Sequence, residues 1–551
     1  MKTKVFRPSF FAGLKRYSKQ QFVNDLVAGL IVAIIALPLS IALAIASGVG
    51  PAVGLYTAIV AGFICALLGG SSVQISGPTA AFATIVAGIV ATKGIEGLAI
   101  ATLMAGIMLI LMGVLKLGAL IKFIPYTITT GFTSGIAVTI LIGQLKDFFG
   151  LSFNHVPVET LEKLIEVVRC FGTVNLWAVV VGLIALAILI GLPRLLPRVP
   201  PSLVAVVVCA LVVGIFELPV NTIGTLYPDI SSAPPTLHLP KGLSLATVTE
   251  LLPDAFTIAI LAAIESLLSC VVADGMVGTR HNSNTELIAQ GLGNIGSALF
   301  GGIPATGAIA RTAANVKNGG RSPVSGMVHA VVLFAMLVIL MPYAKLIPMP
   351  AIAAILFVTA YNMSEWREFV GIIKAAPHTD YLVLIATFLL TVIFDLVVAI
   401  VAGLIIALVL FMKKMSDETD VRGWKVVNDE NDPDAIRLKN VPKDTMVYEI
   451  TGPIFFGAAD KVARVISQSR TKVVILRMRS VPVIDATGIH SFEALIKTCH
   501  KKGITLIFSH VNTKPMKFFH KAGIFQKVGK ENFCDNIDQA LNRAKEIVEN
   551  R

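Results

Sequence analysis

Long stretches without a charged side chain dominate the first three quarters of this sequence. Apolar runs fall at roughly 22–46, 49–69, 97–115, 120–145, 174–193, 200–217, 252–273, 285–300, 322–341, 349–363, 379–394 and 396–412. A helix crossing the hydrocarbon core of a bilayer needs about 20 such residues. Inside lipid only helices and closed barrels satisfy their own backbone, and runs of this length and apolarity choose the helix. With 55% hydrophobic and 15% charged residues, the chain does not read as a soluble globule. Two more segments, 77–92 and 304–317, are rich in Gly, Ala, Ser and Thr. Each has uncharged length for only about 20 to 24 Å of helix, which predicts half-spans.

Counting fourteen crossings from a cytoplasmic start places Lys116 and Lys122, Arg194 and Arg198, Arg280, Lys317 and Arg321, Arg367 and Lys374, and Lys413 and Lys414 all on the inside. The loop 218–251, with a single Lys, falls outside. Basic residues gather on the cytoplasmic side of membrane proteins, so the net charge of +12 reads as orientation, not as nucleic-acid binding. The basic N-terminus, with Lys2, Lys4, Arg7, Lys15, Arg16 and Lys19, precedes a run too long for a signal peptide, which predicts a retained first helix.

"ALPLSIALAIASG" (36–48) can be laid on "AIESLLSCVVADG" (263–275), and "GGSSVQISGPTAA" (69–81) on "GGIPATGAIARTAA" (301–314). Seven crossings separate equivalent points, and an odd number inverts one copy relative to the other, as in many transporters. The expected fold is a polytopic α-helical membrane protein with 14 transmembrane segments as 7+7 inverted repeats, two of them half-helices. Charged residues return after Lys413, and strand-like "TMVYEI", "KVVILRM" and "ITLIFSH" alternate with helical patterns, predicting a small cytoplasmic α/β domain. The expected boundaries are an N-terminal segment 1–21, a membrane domain 22–414 with repeats about 22–217 and 252–414, a linker 415–439, and the α/β domain 440–551. Six scattered cysteines lack CxxC or metal-ligand spacing, so neither a metal site nor a disulfide framework is expected. No phosphate loop, nucleophile triad or other catalytic constellation appears, and an enzyme is not expected.

Half-helices in inverted repeats bring their N-termini together near mid-membrane, where free N–H groups and positive dipole ends can hold an anion. Ser76, Gly77 and Thr79, and Ala308, Ala310 and Thr312, are small enough for close backbone approach or carry hydroxyls. Arg311 lies one turn into the second half-helix. An unpaired cation at the bilayer centre costs about 2.5–3.5 kcal/mol on insertion scales, so something anionic should face it, either a substrate or a carboxylate. Glu265, within the span 252–273, is the candidate acid. A carboxyl there can carry a proton or help coordinate Na⁺, or can pair with Arg311. Asp395, His329, Asp274 and Glu286 read as caps or solvated ends.

The stretches "LPLSIALAIASGVGPAVGLYTAIVAGFICALLGGSSVQISGPTAAF", "DGMVGTRHNSNTELIAQGLGNI" and "GGIPATGAIARTAANVKNGGRSPVSGM" resemble the bacterial SulP permeases, relatives of eukaryotic sulfate, bicarbonate and chloride transporters. "VPVIDATGIHSFEAL" resembles the STAS domain that such transporters carry. The resemblance implies a core and a gate domain, elevator-like motion and a homodimer in the inner membrane with both termini cytoplasmic. Its substrate site lies between segments three and ten, at Ser76, Gly77, Pro78, Thr79 and Ala80 on one side and Ala308, Ile309, Ala310, Arg311 and Thr312 on the other. Glu265 matches the acidic position implicated in H⁺ or Na⁺ coupling. Where many members have Ser before the arginine this chain has Ala310, and Leu39 and Leu43 replace a polar residue and an aromatic in segment one. In the STAS loop, Asp485 is followed by Ala486, not by the phosphorylatable Ser of antagonist proteins, leaving Thr487, beside Gly488, as the modifiable hydroxyl. A small anion (sulfate, bicarbonate or a C4-dicarboxylate) is the expected cargo, H⁺ or Na⁺ the coupled ion, and a cytoplasmic protein a possible STAS partner. A nucleobase carrier and a STAS-centred membrane regulator are the competing readings.

Overall fold

The computed structural model describes residues 6–13, 17–119, 125–153, 155, 157, 159–196, 199–394, 396–423, 440–455 and 471–550. Lys2, Lys4, Lys15, Arg16, Lys122, Arg198 and Asp395 lie outside them. The chain divides into two units, residues 1–404 and 405–551.

In the first unit, α1 (Lys19–Ala46) and α2 (Pro51–Leu68) lead to a two-residue strand β1 (Ser76–Gly77) and then α3 (Ala80–Val114). Ser18 caps α1 by accepting from the Gln21 N–H, and Pro51 occupies the first position of α2, where its missing N–H costs nothing. Gly94 breaks α3 with φ 71° and ψ −178°, a conformation that other residues avoid. That break makes 80–93 a half-helix and 95–114 a separate span. The repeat closes with α4 (Tyr126–Phe149), a short α5 (Thr160–Arg169), α6 (Leu176–Leu195) and α7 (Pro201–Ile215).

The second repeat follows the same order. It has α8 (Leu252–Val277), α9 (Ser283–Leu299), strand β2 (Thr306–Gly307) and the half-helix α10 (Ile309–Lys317). Then come α11 (Val324–Leu340), α12 (Met349–Met363), a short α13 (Trp366–Ala375), α14 (His378–Ile393) and α15 (Leu396–Asp417). Splitting α3 at Gly94 and setting α5 and α13 aside leaves seven membrane segments per repeat. The amphipathic α5 and α13 were not anticipated from the sequence, and they occupy the same place in each copy, after the fifth segment.

Two packing groups form within this unit. In one, α9 lies on α2 and α3, α11 on α1 and α2, and α8 on α3 and α10; in the other, α4 lies on α12 and α14, and α12 on α6. Gly106 and Gly291 meet where α3 crosses α9. A methyl added to Gly106 would come within 2.7 Å of the Gly291 carbonyl oxygen, and one on Gly291 within 2.5 Å of the Gly106 oxygen. Such close approach is how helices pack in lipid, where dispersion contacts must replace the hydrophobic drive.

In the second unit β3 (Asp420–Gly423) pairs antiparallel with β4 (Thr445–Thr451), followed by parallel β5 (Val473–Ser480), β6 (Thr505–Ser509) and β7 (Phe533–Cys534) in the order 3-4-5-6-7. The stretch expected as linker therefore holds the last three residues of α15 and strand β3, while 424–439 lies outside the described residues. Helix α16 (Ala486–Lys501) places Phe492 and Leu495 with Phe508 and Phe519 in one buried cluster. Phe519 of α17 (Thr513–Lys521) and Ile524 of α18 (Ile524–Val528) belong to that cluster, whereas on the other face α19 (Ile537–Glu549) packs Ile537, Ala540 and Leu541 with Val473, Ile475 and Ile507.

Candidate functional site

The two half-helices are joined at their starts. β1 and β2 pair antiparallel, Ser76 with Gly307 and Gly77 with Thr306, all four buried. That register makes Ser76 the counterpart of Thr306, so the equivalence runs two or three residues shorter than the sequence alignment proposed. The ladder is braced on both sides. The Ala308 N–H donates to the Ile75 oxygen (2.8 Å), and the Ile75 N–H donates to Thr312 Oγ1 (3.0 Å). Ser266 Oγ accepts from the Gly307 N–H (3.0 Å), and Gln290 Nε2 donates to Ser76 Oγ (2.8 Å). The hydroxyls of Ser76 and Thr312, which the sequence offered as anion ligands, are thus engaged in holding the lead-ins. Neither N-cap, Thr79 for α3 or Ala308 for α10, bonds its helix with a side chain, so the first N–H groups of both half-helices lack a side-chain cap.

Arg311 projects from the first turn of α10 toward the other repeat and is 2% exposed. Its Nη2 donates to the Pro78 carbonyl oxygen (2.8 Å), while Nε and Nη1 have no partner. Gly77 is what lets the guanidinium in: a Cβ there would lie 2.8 Å from Nη1. Glu265 is engaged one residue further along, Oε2 accepting from Thr79 Oγ1 at 2.8 Å. Arg311 and Glu265 therefore bind neighbouring residues, Pro78 and Thr79, and do not form an ion pair with each other. Thr79 and Glu265 are half-buried, Ile309 and Ala310 are exposed, Leu39 is half-buried, and Ala80 and Leu43 are buried. Leu39, Thr79, Glu265, Ile309 and Ala310 are accordingly the accessible parts of this set.

Two residues read as caps or solvated ends lie instead in the interior. Glu286 is 1% exposed, its Oε2 accepting from the N–H groups of Gly70 (2.8 Å) and Ser71 (3.0 Å) and its Oε1 from Gln74 (3.0 Å) and Gln290 (2.9 Å). The signal available beforehand was Gln290, one turn along the same helix face. His329 is fully buried and neither ring nitrogen has a partner. Asp274, half-buried near the end of α8, ties down the following loop, accepting from the His281 N–H (2.9 Å) and pairing with its ring Nδ1 (2.7 Å).

In the α/β unit Asp485 caps α16, its Oδ1 accepting from the Gly488 N–H at 2.7 Å. Gly488 is pressed against Ile454 and Ile484, where a Cβ would find atoms within 3.0 Å. Thr487 is exposed at this helix start.

Two inverted copies, half-helices meeting start to start, and a buried cation between them define a membrane transporter. Residues 22–387 match the Sulfate permease family and residues 436–540 the STAS domain; the chain belongs to the sulfate permease family. It is 40% identical to the putative sulfate transporter YvdB of Bacillus subtilis over 96% of this chain and 99% of that one. It is 32% identical to the bicarbonate transporter BicA of Synechocystis, over 89% and 88%. The structure of murine Solute Carrier 26 family member A9, 18% identical, shares the fold with a TM-score of 0.86 over 97% of this chain and 93% of that one. These relatives are transporters, not enzymes.

Proposed function

We propose that this protein carries a small anion across the bacterial inner membrane, binding it between Arg311 and the starts of the two half-helices. The observation that carries the reading is the guanidinium: it is buried, without a carboxylate partner, and two of its three nitrogens are unmet at a point where two uncapped helix starts converge. Unmet guanidinium donors beside positive dipole ends favour an anion. The relatives named for sulfate and bicarbonate support an oxyanion as cargo. Glu265 would carry the coupled H⁺ or Na⁺, because its link to Thr79 ties it to the lead-in of the anion site. The two packing groups would act as core and gate in an elevator motion within a homodimer, with both termini cytoplasmic.

The test is counterflow of labelled sulfate and bicarbonate in proteoliposomes, with each ion gradient removed in turn. Losing a charged hydrogen bond in a dry site costs about 1.5–3 kcal/mol, so Arg311→Ala should weaken transport by about 10- to 150-fold. Glu265→Gln should retain anion binding and lose the dependence on the coupling gradient. Wild-type transport by both variants, shown to be folded, would sink the assignment. Ala310, Leu39 and Leu43 give one wall an apolar character, which favours a second reading with a C4-dicarboxylate as cargo. Competition by succinate against sulfate separates the two.

A further inference from the structure

The half-helix α10 and the following helix α11 are consecutive crossings and so run in opposite directions. They are pinned at one level, where Asn315 Nδ2 donates to Ser325 Oγ at 2.8 Å. One turn back along α10 from Asn315 is Arg311, and one turn forward along α11 from Ser325 is His329. Opposed helices therefore set these two at about the same level. Both are buried, at 2% and 0% exposure, and four of their nitrogens, Arg311 Nε and Nη1 and both ring atoms of His329, have no partner. Helix α11 packs closely here on α1, α2 and the lead-in to β1. Gly29 of α1 lies against Ser325 and Val328, and Gly326 lies against Ala66 and Ile75.

Buried polar groups are rarely left unmet. The two sets are complementary: a guanidinium has only donors, whereas a neutral imidazole offers one N–H and one bare nitrogen that accepts. A single water between them would have partners on both sides, as an interior water requires. The exposed residues of the site, Ile309 and Ala310, precede Arg311 in α10, whereas His329 is enclosed.

We propose that His329 is a positioning residue of the anion site, accepting a hydrogen bond from Arg311 through one buried water and so holding the guanidinium against Gly77 and Pro78. The inference rests on the reading that Arg311 holds the anion. With Nη2 on Pro78 and Nε assigned to the link with His329, Nη1 is the donor left for the substrate.

The experiment uses the full chain in proteoliposomes, with labelled sulfate and bicarbonate. His329→Leu should raise KM about tenfold or more with Vmax changed by no more than about threefold, since the anion's donors remain but lose their orientation. His329→Gln keeps an acceptor and should restore KM to within about threefold. A wild-type KM for folded His329→Leu, or a His329→Gln variant as impaired as His329→Leu, overturns the proposal. Should His329→Leu not fold, ¹⁵N spectra of the ring nitrogens compare the wild type with Arg311→Lys, which lacks Nε. A ring signal that moves between the two supports the link, and unmoved signals overturn it. Arg311→Ala run in parallel keeps the two failures apart. If it transports like wild type, the anion site itself is misplaced. If it is inactive while both His329 variants behave as wild type, only the positioning role falls.

Discussion

At the scale of single residues, the membrane unit spends its polar groups on fixing two short lead-ins. Gly77 is where backbone and guanidinium come closest, and Gly77→Ala would put a methyl 2.8 Å from Arg311 Nη1. The guanidinium must then shift, so transport of sulfate should weaken by about tenfold or more in a chain that still elutes as a folded species in detergent. Glu286 is different in kind, since it serves four donors from two chain segments, 70–74 and α9, and meets no substrate. Glu286→Ala leaves these donors buried and unmet, each costing about 1–3 kcal/mol, so thermal unfolding in detergent should drop sharply and Glu286→Gln should recover part of the loss. Arg311 and Glu265 were legible in the sequence because a charge inside an apolar run is conspicuous. Glu286 and His329 were not, because which way a side chain faces depends on packing that periodicity does not report. What the sequence did not show for Thr312 is that its hydroxyl oxygen also accepts from the Ile75 N–H and braces the lead-in.

At the scale of elements, the twelve long runs and both short segments were readable from length and apolarity, and all fourteen are present. The strand character of Ser76–Gly77 and Thr306–Gly307 was not, since two residues carry no period and their pairing joins positions over 200 residues apart. The short helices α5 and α13 escaped because ten amphipathic residues between spans look like a polar loop. Gly106 and Gly291 set the spacing of α3 and α9. Gly291→Val should separate them, at a cost of at least about 1–3 kcal/mol for overpacking, read as a lower melting temperature than for substitutions on the lipid face. In the α/β unit Lys527 on α18 donates to Glu493 on α16 at 2.5 Å, which holds that carboxyl below the usual range. A depressed pKa means the link is present at neutral pH and disappears as pH falls through the folded-state value. Hydrogen exchange in 524–528 should therefore quicken below about pH 4 relative to Glu493→Gln at the same pH. The difference should be small, as expected of an exposed pair.

At the scale of the whole molecule, the composition break near Lys413 announced two units, and the count of basic residues supported fourteen crossings. Arrangement is what composition could not convey: which helices group together, and that α1, the end of α10 and the start of α7 enclose a groove of about 640 Å³ lined by Ile31, Ile35, Val199 and Lys317. Helix α7 packs on α6 of the second group, whereas α1 and α10 belong to the first, so an elevator motion between the groups would change the groove's width. A short cross-link between Ile31→Cys and Val199→Cys should arrest sulfate counterflow while leaving sulfate binding intact. Unimpeded transport by the linked protein would exclude relative motion there. Five of the six native cysteines are buried and Cys534 is half-buried, which favours selective labelling.

The ladder between β1 and β2 is only two residues long, yet it makes the two helix starts a single body. A carrier that moves such a body intact has no means of loosening its grip on one side of the membrane and tightening it on the other. The dissociation constant for the anion should then be the same measured from either face, and the direction of net flux should follow the gradients of anion and coupled ion alone.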